Sequence, residues 1–219
     1  MRGTGRRSSS ILNGSGTGDR ERRNSGSGRI RLPVGKPLVA VFGSSAARPG
    51  DGLYEQGYRM GELLGHAGFN MMTGGYTGLM EAASRGAHQA GAHVVGVTLD
   101  RFEGKPNSYV IDEIPTASFC GRFRWLIGRA DAYVALRGGM GTLAEVSFAW
   151  QELAVGMIAP RPLLLVGPAW RAIVTSWLEN CTTAAEKYAV MTLVDSPEEA
   201  CAALSEFFAG HPVAPRAAR

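Results

Sequence analysis

The sequence predicts an α/β fold, a single Rossmann-like doubly wound parallel β-sheet flanked by helices on both faces. Two observations carry this. Short apolar segments alternate with longer segments of helical periodicity from Leu38 to Phe208. The short segments are continuously apolar, as in Leu38–Phe42 and Leu163–Val166, which suits strands covered on both sides. In such sheets ligands bind at the carboxyl ends of the strands, where the order of the strands reverses.

The elements follow in order. After Pro33 and Pro37, Leu38–Phe42 reads as a buried strand that ends in Gly43-Ser44-Ser45. Leu53–Gly65 reads as helix, Phe69–Thr73 as strand, Gly78–Ala90 as helix and Ala92–Thr98 as strand. Asp100–Ala117, which holds Pro106 and Pro115, reads as a long connection. Ser118–Arg129 is a helix, Ala132–Leu136 a strand and Thr142–Ala154 a helix. Pro162–Val166, Ala169–Asn180, Val190–Val194 and Pro197–Phe208 complete the alternation as strand, helix, strand and helix.

Length and composition bound the function. The 219 residues suit one domain with appended tails, and 45% hydrophobic residues suffice for a sizeable core. Residues 1–32 form an Arg-, Ser- and Gly-rich tail with almost no apolar content, which is expected to be disordered. Residues 33–211, which hold the alternating segments, are expected to fold as one Rossmann-like domain, with 212–219 a C-terminal tail. Residues 1–31 carry eight arginines against Asp19 and Glu21, a balance of +6; with +4 for the whole chain, the remainder carries −2. The folded part is therefore mildly acidic, which speaks against nucleic acid as its partner. No apolar run approaches the ~20 residues of a membrane span. Cys120, Cys181 and Cys201 are widely spaced with no C-x-x-C pair, which favours a reducing compartment, the cytoplasm. The four histidines show no metal-ligand spacing.

Three strand-end motifs carry the chemistry. Gly43-Ser44-Ser45 offers small residues and hydroxyls to a phosphate or ribose, though an ordinary strand-to-helix turn reads the same way. Thr73-Gly74-Gly75-Tyr76-Thr77-Gly78 holds more glycine than a turn requires. Arg137-Gly138-Gly139-Met140-Gly141-Thr142 follows a strand and opens a helix, so free backbone N–H groups and a positive dipole end meet there. It is neither a Walker loop nor a G-x-G-x-x-G fingerprint. Glu145 admits two readings. Thr142-x-x-Glu145 fits a capping box, as do Ser196-x-x-Glu199 and Thr183-x-x-Glu186. Beside an anion site, however, a carboxylate is unwelcome unless it has chemistry to do.

Taken together, Phe42-Gly43-Ser44-Ser45, Gly74-Gly75-x-x-Gly78-Leu79-Met80, Ala130-Asp131-Ala132 and Gly138-Gly139-x-Gly141-Thr142-x-x-Glu145 resemble the lonely-guy family. Its best-known members are cytokinin-activating phosphoribohydrolases, often mislabelled lysine decarboxylases. The resemblance spans Leu38 to Phe208. It implies a Rossmann-like fold, a homodimer, and cleavage of a nucleoside 5′-monophosphate, such as a cytokinin riboside monophosphate, to free base and ribose 5-phosphate. By spacing from Glu145, Arg122 stands where the family has its catalytic arginine. On this resemblance Arg122 and Glu145 are the catalytic pair, with Arg122 holding ribose or phosphate and keeping Glu145 ionised. Gly43, Ser44, Ser45, Thr73, Gly74 and Gly75 line the nucleotide pocket, and Gly138, Gly139, Met140, Gly141 and Thr142 hold the phosphate. No cofactor is required.

This chain departs from the family at Arg137 (usually Pro), Phe123 (Lys), Thr73 (Gly) and Phe119-Cys120 (Met-His). Its three lysines, Lys36, Lys105 and Lys187, all lie outside the motifs, which speaks against a pyridoxal phosphate decarboxylase. A non-catalytic nucleotide or molybdenum-cofactor carrier or sensor is the alternative, and Arg137, an added cation at the anion loop, favours it.

Overall fold

The computed structural model describes Leu32, residues 35–102 and residues 104–213. Apart from Leu32, the expected N-terminal tail lies outside the described residues, as does the chain beyond Val213.

Seven strands form one parallel sheet: β1 (Leu38–Phe42), β2 (Asn70–Thr73), β3 (Val94–Leu99), β4 (Asp112–Thr116), β5 (Ala132–Ala135), β6 (Leu163–Val166) and β7 (Met191–Val194). Six helices cover it: α1 (Gly52–His66), α2 (Leu79–Gln89), α3 (Phe119–Arg129), α4 (Met140–Ala154), α5 (Pro168–Asn180) and α6 (Pro197–Gly210). A short 3-10 helix spans Ala185–Val190. The strand order is β4-β3-β2-β1-β5-β6-β7, so the winding reverses between β1 and β5. The register there is Val39↔Ala132 through Phe42↔Ala135, which brings both strands to their carboxyl ends side by side. The doubly wound sheet read from the sequence is the one the chain forms.

Alternate side chains of the same strands feed two cores. Val39, Val41 and Val134 point to α1, α2 and α6, while Ala40, Phe42 and Tyr133 point to α3, α4 and α5. That two-sided burial is why the strands read as unbroken apolar runs. On the first face α1 and α2 approach almost backbone to backbone. A Cβ on Gly61 would collide with the Ala83 carbonyl, so Gly61 sets how closely these helices pack.

The expected long connection is corrected at one place. Asp112–Thr116 is a strand, paired from Val95↔Asp112 to Leu99↔Thr116. Its acidic start and Pro115 conceal it. A proline is tolerated because β4 is the sheet's edge, where one side of the strand has no ladder to complete. The fourth helix begins at Met140, ahead of the expected Thr142.

Candidate active site at the switch point

The two glycine-rich turns meet where the winding reverses. Ser44 N–H donates to the Arg137 carbonyl at 3.3 Å, tying the turn after β1 to the turn after β5. The N-cap of α4 is Gly139, which has no side chain to cap with, and Leu143 N–H closes the first turn onto the Gly139 carbonyl at 3.0 Å. The N–H groups of Met140, Gly141 and Thr142 are left without an intrahelical acceptor, at the positive end of the helix dipole. Because the helix starts at Met140, Thr142 lies within its first turn and cannot be the N-cap. The capping-box reading of Thr142 and Glu145 therefore falls. Ser196 does cap α6, accepting from Glu199 N–H at 3.2 Å, so the same spacing means different things in the two helices.

Glu145 sits one turn beyond Thr142 on the same helix face and is only 7% exposed. Arg122 reaches it from α3. Ser118 caps that helix through Gly121 N–H at 3.1 Å and sets its start, which turns Arg122 inward towards the sheet. Arg122 Nε donates to the Val97 carbonyl at 2.8 Å, and Nη1 stands 3.7 Å from Glu145 Oε1. The guanidinium also lies 5.9 Å from the centroid of the Tyr76 ring. Burial pushes the Glu145 carboxyl up to about 7, and the pull of Arg122 in the other direction does not overcome it. The expectation that Arg122 keeps Glu145 fully ionised gives way to a carboxyl poised between its two states near neutral pH.

These groups open on a cleft of about 660 Å³. Of the residues expected from sequence, Gly43, Ser44, Ser45, Arg122, Gly139, Met140, Gly141, Thr142 and Glu145 line it. Thr73, Gly74, Gly75 and Gly138 stand behind that lining and shape it. Thr73 Oγ1 accepts from Gly75 N–H at 3.0 Å, holding the turn that a third glycine would leave loose. A Cβ on Gly74 would collide with Arg122 Nη2, so its glycine makes room for the guanidinium. Gly138 is pressed against Thr142 in the same way. Arg137 is exposed and meets the site through its backbone.

Sequence reasoning missed the far wall of the cleft. Tyr76, Phe102, Lys105 and Phe119 line it; Tyr76 falls within a glycine motif and Phe119 within a departure from the family, while Phe102 and Lys105 were given no part in the site. A large aromatic residue, Phe102, at the start of the connection after β3 was the available signal. Phe123, in place of the family's lysine, stacks on Phe148 with centroids 5.3 Å apart.

The profile of the SLOG cluster4 family matches residues 36–200, most of the chain. The chain belongs to the SLOG cluster4 family. An uncharacterized protein of Archaeoglobus fulgidus is 33% identical over 99 residues, covering 45% of this chain and 65% of that protein. A protein of Oryza sativa subsp. japonica named as a probable cytokinin riboside 5′-monophosphate phosphoribohydrolase is 36% identical over 86 residues. That match covers 37% of this chain and 38% of the rice protein, so the chain spans well under half the length of that relative. The kinship with the lonely-guy family read from the motifs is thereby supported. Among solved structures, the molybdenum cofactor binding protein of Rippkaea orientalis superposes with a TM-score of 0.65 at 23% identity, over 79% of this chain and 98% of that one. At that identity the likeness is one of fold. No helix of the described residues is long and apolar enough to cross a membrane.

Proposed function

We propose that the cleft binds a nucleoside 5′-monophosphate and hydrolyses its N-glycosidic bond, releasing free base and ribose 5-phosphate. The observation that carries this reading is Glu145: a buried carboxyl, held near neutrality beside Arg122, one turn from an anion-binding helix end. A carboxyl with no catalytic use would be disfavoured there. The N–H groups of Met140, Gly141 and Thr142 take the 5′-phosphate, which fixes the sugar by binding energy remote from the reacting bond. Water attacks the anomeric carbon as the bond to the base nitrogen breaks, through a state with positive charge on the sugar. Ionised Glu145 stabilises that charge and takes the water's proton, while the base leaves with its bonding pair and is protonated from solvent. Arg122 orients the ribose hydroxyls. The name of the rice relative, a probable cytokinin riboside 5′-monophosphate phosphoribohydrolase 36% identical over 86 residues, supports the same chemistry.

The active unit on this reading is a homodimer. Met140, Leu143 and Phe148 are exposed on α4 beside the cleft, and a second copy of the chain would cover them.

The carrier reading rests on Arg137, an exposed residue that adds a positive charge at the start of the phosphate loop. Incubation of the purified protein with a panel of nucleoside 5′-monophosphates separates the two. Free base and ribose 5-phosphate in equal amounts are expected; binding of monophosphates with no hydrolysis across the panel would leave the carrier reading standing.

A further inference from the structure

The far wall of the cleft is aromatic. Tyr76, Phe102 and Phe119 follow one another along it, with ring centroids 5.6 Å and 6.1 Å apart. Tyr76 is the fixed member. Its hydroxyl accepts from Leu99 N–H at 2.7 Å and lies 3.2 Å from the Leu99 carbonyl, and its own carbonyl accepts from Asn107 Nδ2 at 3.0 Å. Phe102 and Phe119 meet at 76°, edge to face. They form a corner in which a flat ring laid on one meets the edge of the other. Both rings are half exposed, 49% and 54%, so folding leaves much of their apolar surface in water. A planar ligand would remove that surface from solvent.

The described residues of the wall offer little with which to read the edge of a base. Among the described residues lining the cleft there is no Asn, Gln, Asp or His, the side chains that pair a donor with an acceptor or recognise one directionally. Arg122 and Glu145 face each other, Ser44, Ser45 and Thr142 lie on the turns assigned to ribose and phosphate, and Thr77 adds one hydroxyl, a rotor with no fixed direction. Lys105 offers a point charge on a flexible stem, without a fixed fork.

We infer that the Phe102–Phe119 corner, backed by Tyr76, holds the base by stacking and not by hydrogen-bonded readout, so that the substrate class is purine nucleoside 5′-monophosphates at large. This rests on the phosphate and ribose assignments made above. Stacking strength follows aromatic area, so purines exceed pyrimidines, and exocyclic groups matter little. N6-substituted adenine nucleotides are accepted on the same terms and are not singled out.

Calorimetric titration of the full chain tests this, in a Glu145→Gln background so that no ligand is consumed. The probes are AMP, GMP, IMP, CMP, UMP and ribose 5-phosphate. The three purine nucleotides are expected to bind within about five-fold of one another and about ten-fold or more tighter than ribose 5-phosphate, the range that one base–aromatic stack supplies. Phe102→Ala and Phe119→Ala should each remove most of that advantage while leaving ribose 5-phosphate affinity unchanged. Ribose 5-phosphate binding as tightly as AMP would overturn the inference and leave the phosphate site standing. So would a preference of about thirty-fold or more for one purine, which signals directional hydrogen bonding, or indifference to both truncations. Failure of ribose 5-phosphate and every nucleotide to bind would instead remove the phosphate site, and this inference with it.

Discussion

Arg122 Nη1 stands 3.7 Å from Glu145 Oε1, with both side chains 9% exposed, and this contact joins α3 to α4 over the carboxyl end of the sheet. The pair is looser than a hydrogen-bonded bridge. Arg122 spends its Nε on the Val97 carbonyl, which leaves the rest of the guanidinium towards the cleft and Glu145 only partly compensated. Removing one partner should therefore have different consequences from removing the other.

Stability should depend on pH through Glu145. Its carboxyl is raised from 4.5 to about 7 in the fold, so the unfolded chain ionises first as pH rises. The resulting cost is fully present above pH 7, shrinks as pH falls towards 4.5, and vanishes below that. Glu145→Gln should accordingly be more stable than wild type at pH 8, by up to about 3 kcal/mol, with the gap closing in acid. Urea denaturation of both proteins from pH 4 to pH 8.5 measures it. A gap that is constant across this range would mean that Glu145 does not titrate as described.

Turnover should separate the two residues of the pair. Glu145→Gln keeps the shape and loses the charge opposite a cationic transition state, so base release should fall by about 100-fold or more with nucleotide affinity retained. Arg122→Ala should weaken both turnover and binding, since its guanidinium holds the ribose. Steady-state kinetics alongside equilibrium binding distinguishes these outcomes. Glutamine behaving as wild type in every assay would remove Glu145 from the chemistry.

Gly61→Ala should destabilise the fold by about 1–3 kcal/mol, because its new methyl meets the Ala83 carbonyl, which is backbone and cannot swing aside. Gly128→Ala in α3 is the control. Its Cβ would have nothing within 4 Å, so the helix propensity of alanine should instead add up to about 1 kcal/mol. Thermal unfolding of the two variants should therefore shift in opposite directions.

Phe148→Glu tests the proposed dimer. The ring is 38% exposed and stacks on Phe123 outside the cleft, so a charge there should split a dimer without disturbing the fold. Sedimentation at micromolar concentration is expected to give twice the 23.2 kDa chain mass for wild type and the single mass for the variant. A monomeric wild type would remove the dimer.

Deletion of residues 1–30, whose composition offers no core, should leave the melting temperature and nucleotide affinity unchanged. Differential scanning fluorimetry with and without nucleotide checks both at once.

The sequence by itself determined the layered architecture and the place of the phosphate loop. Continuous apolar runs such as Leu163–Val166 admit few environments other than the middle of a covered sheet, and glycines directly after a strand leave backbone N–H groups open at a helix start. Both are local signals, carried by neighbouring residues. Three things were decided only by the tertiary structure. Asp112–Thr116 becomes a strand because β3 lies beside it with an open edge, a long-range pairing that outweighs the local tendency of Pro115. Glu145 is a buried carboxyl and not a cap because α4 starts at Met140, fixed by how the turn after β5 meets the turn after β1. The aromatic corner exists because Phe102 and Phe119, from a connecting loop and a helix start, are brought together at the rim of the sheet. Spacing along a chain reports which residues share a helix face or a turn. Which loops converge on one cleft depends on strand order and on the packing of two cores, and no local pattern encodes that.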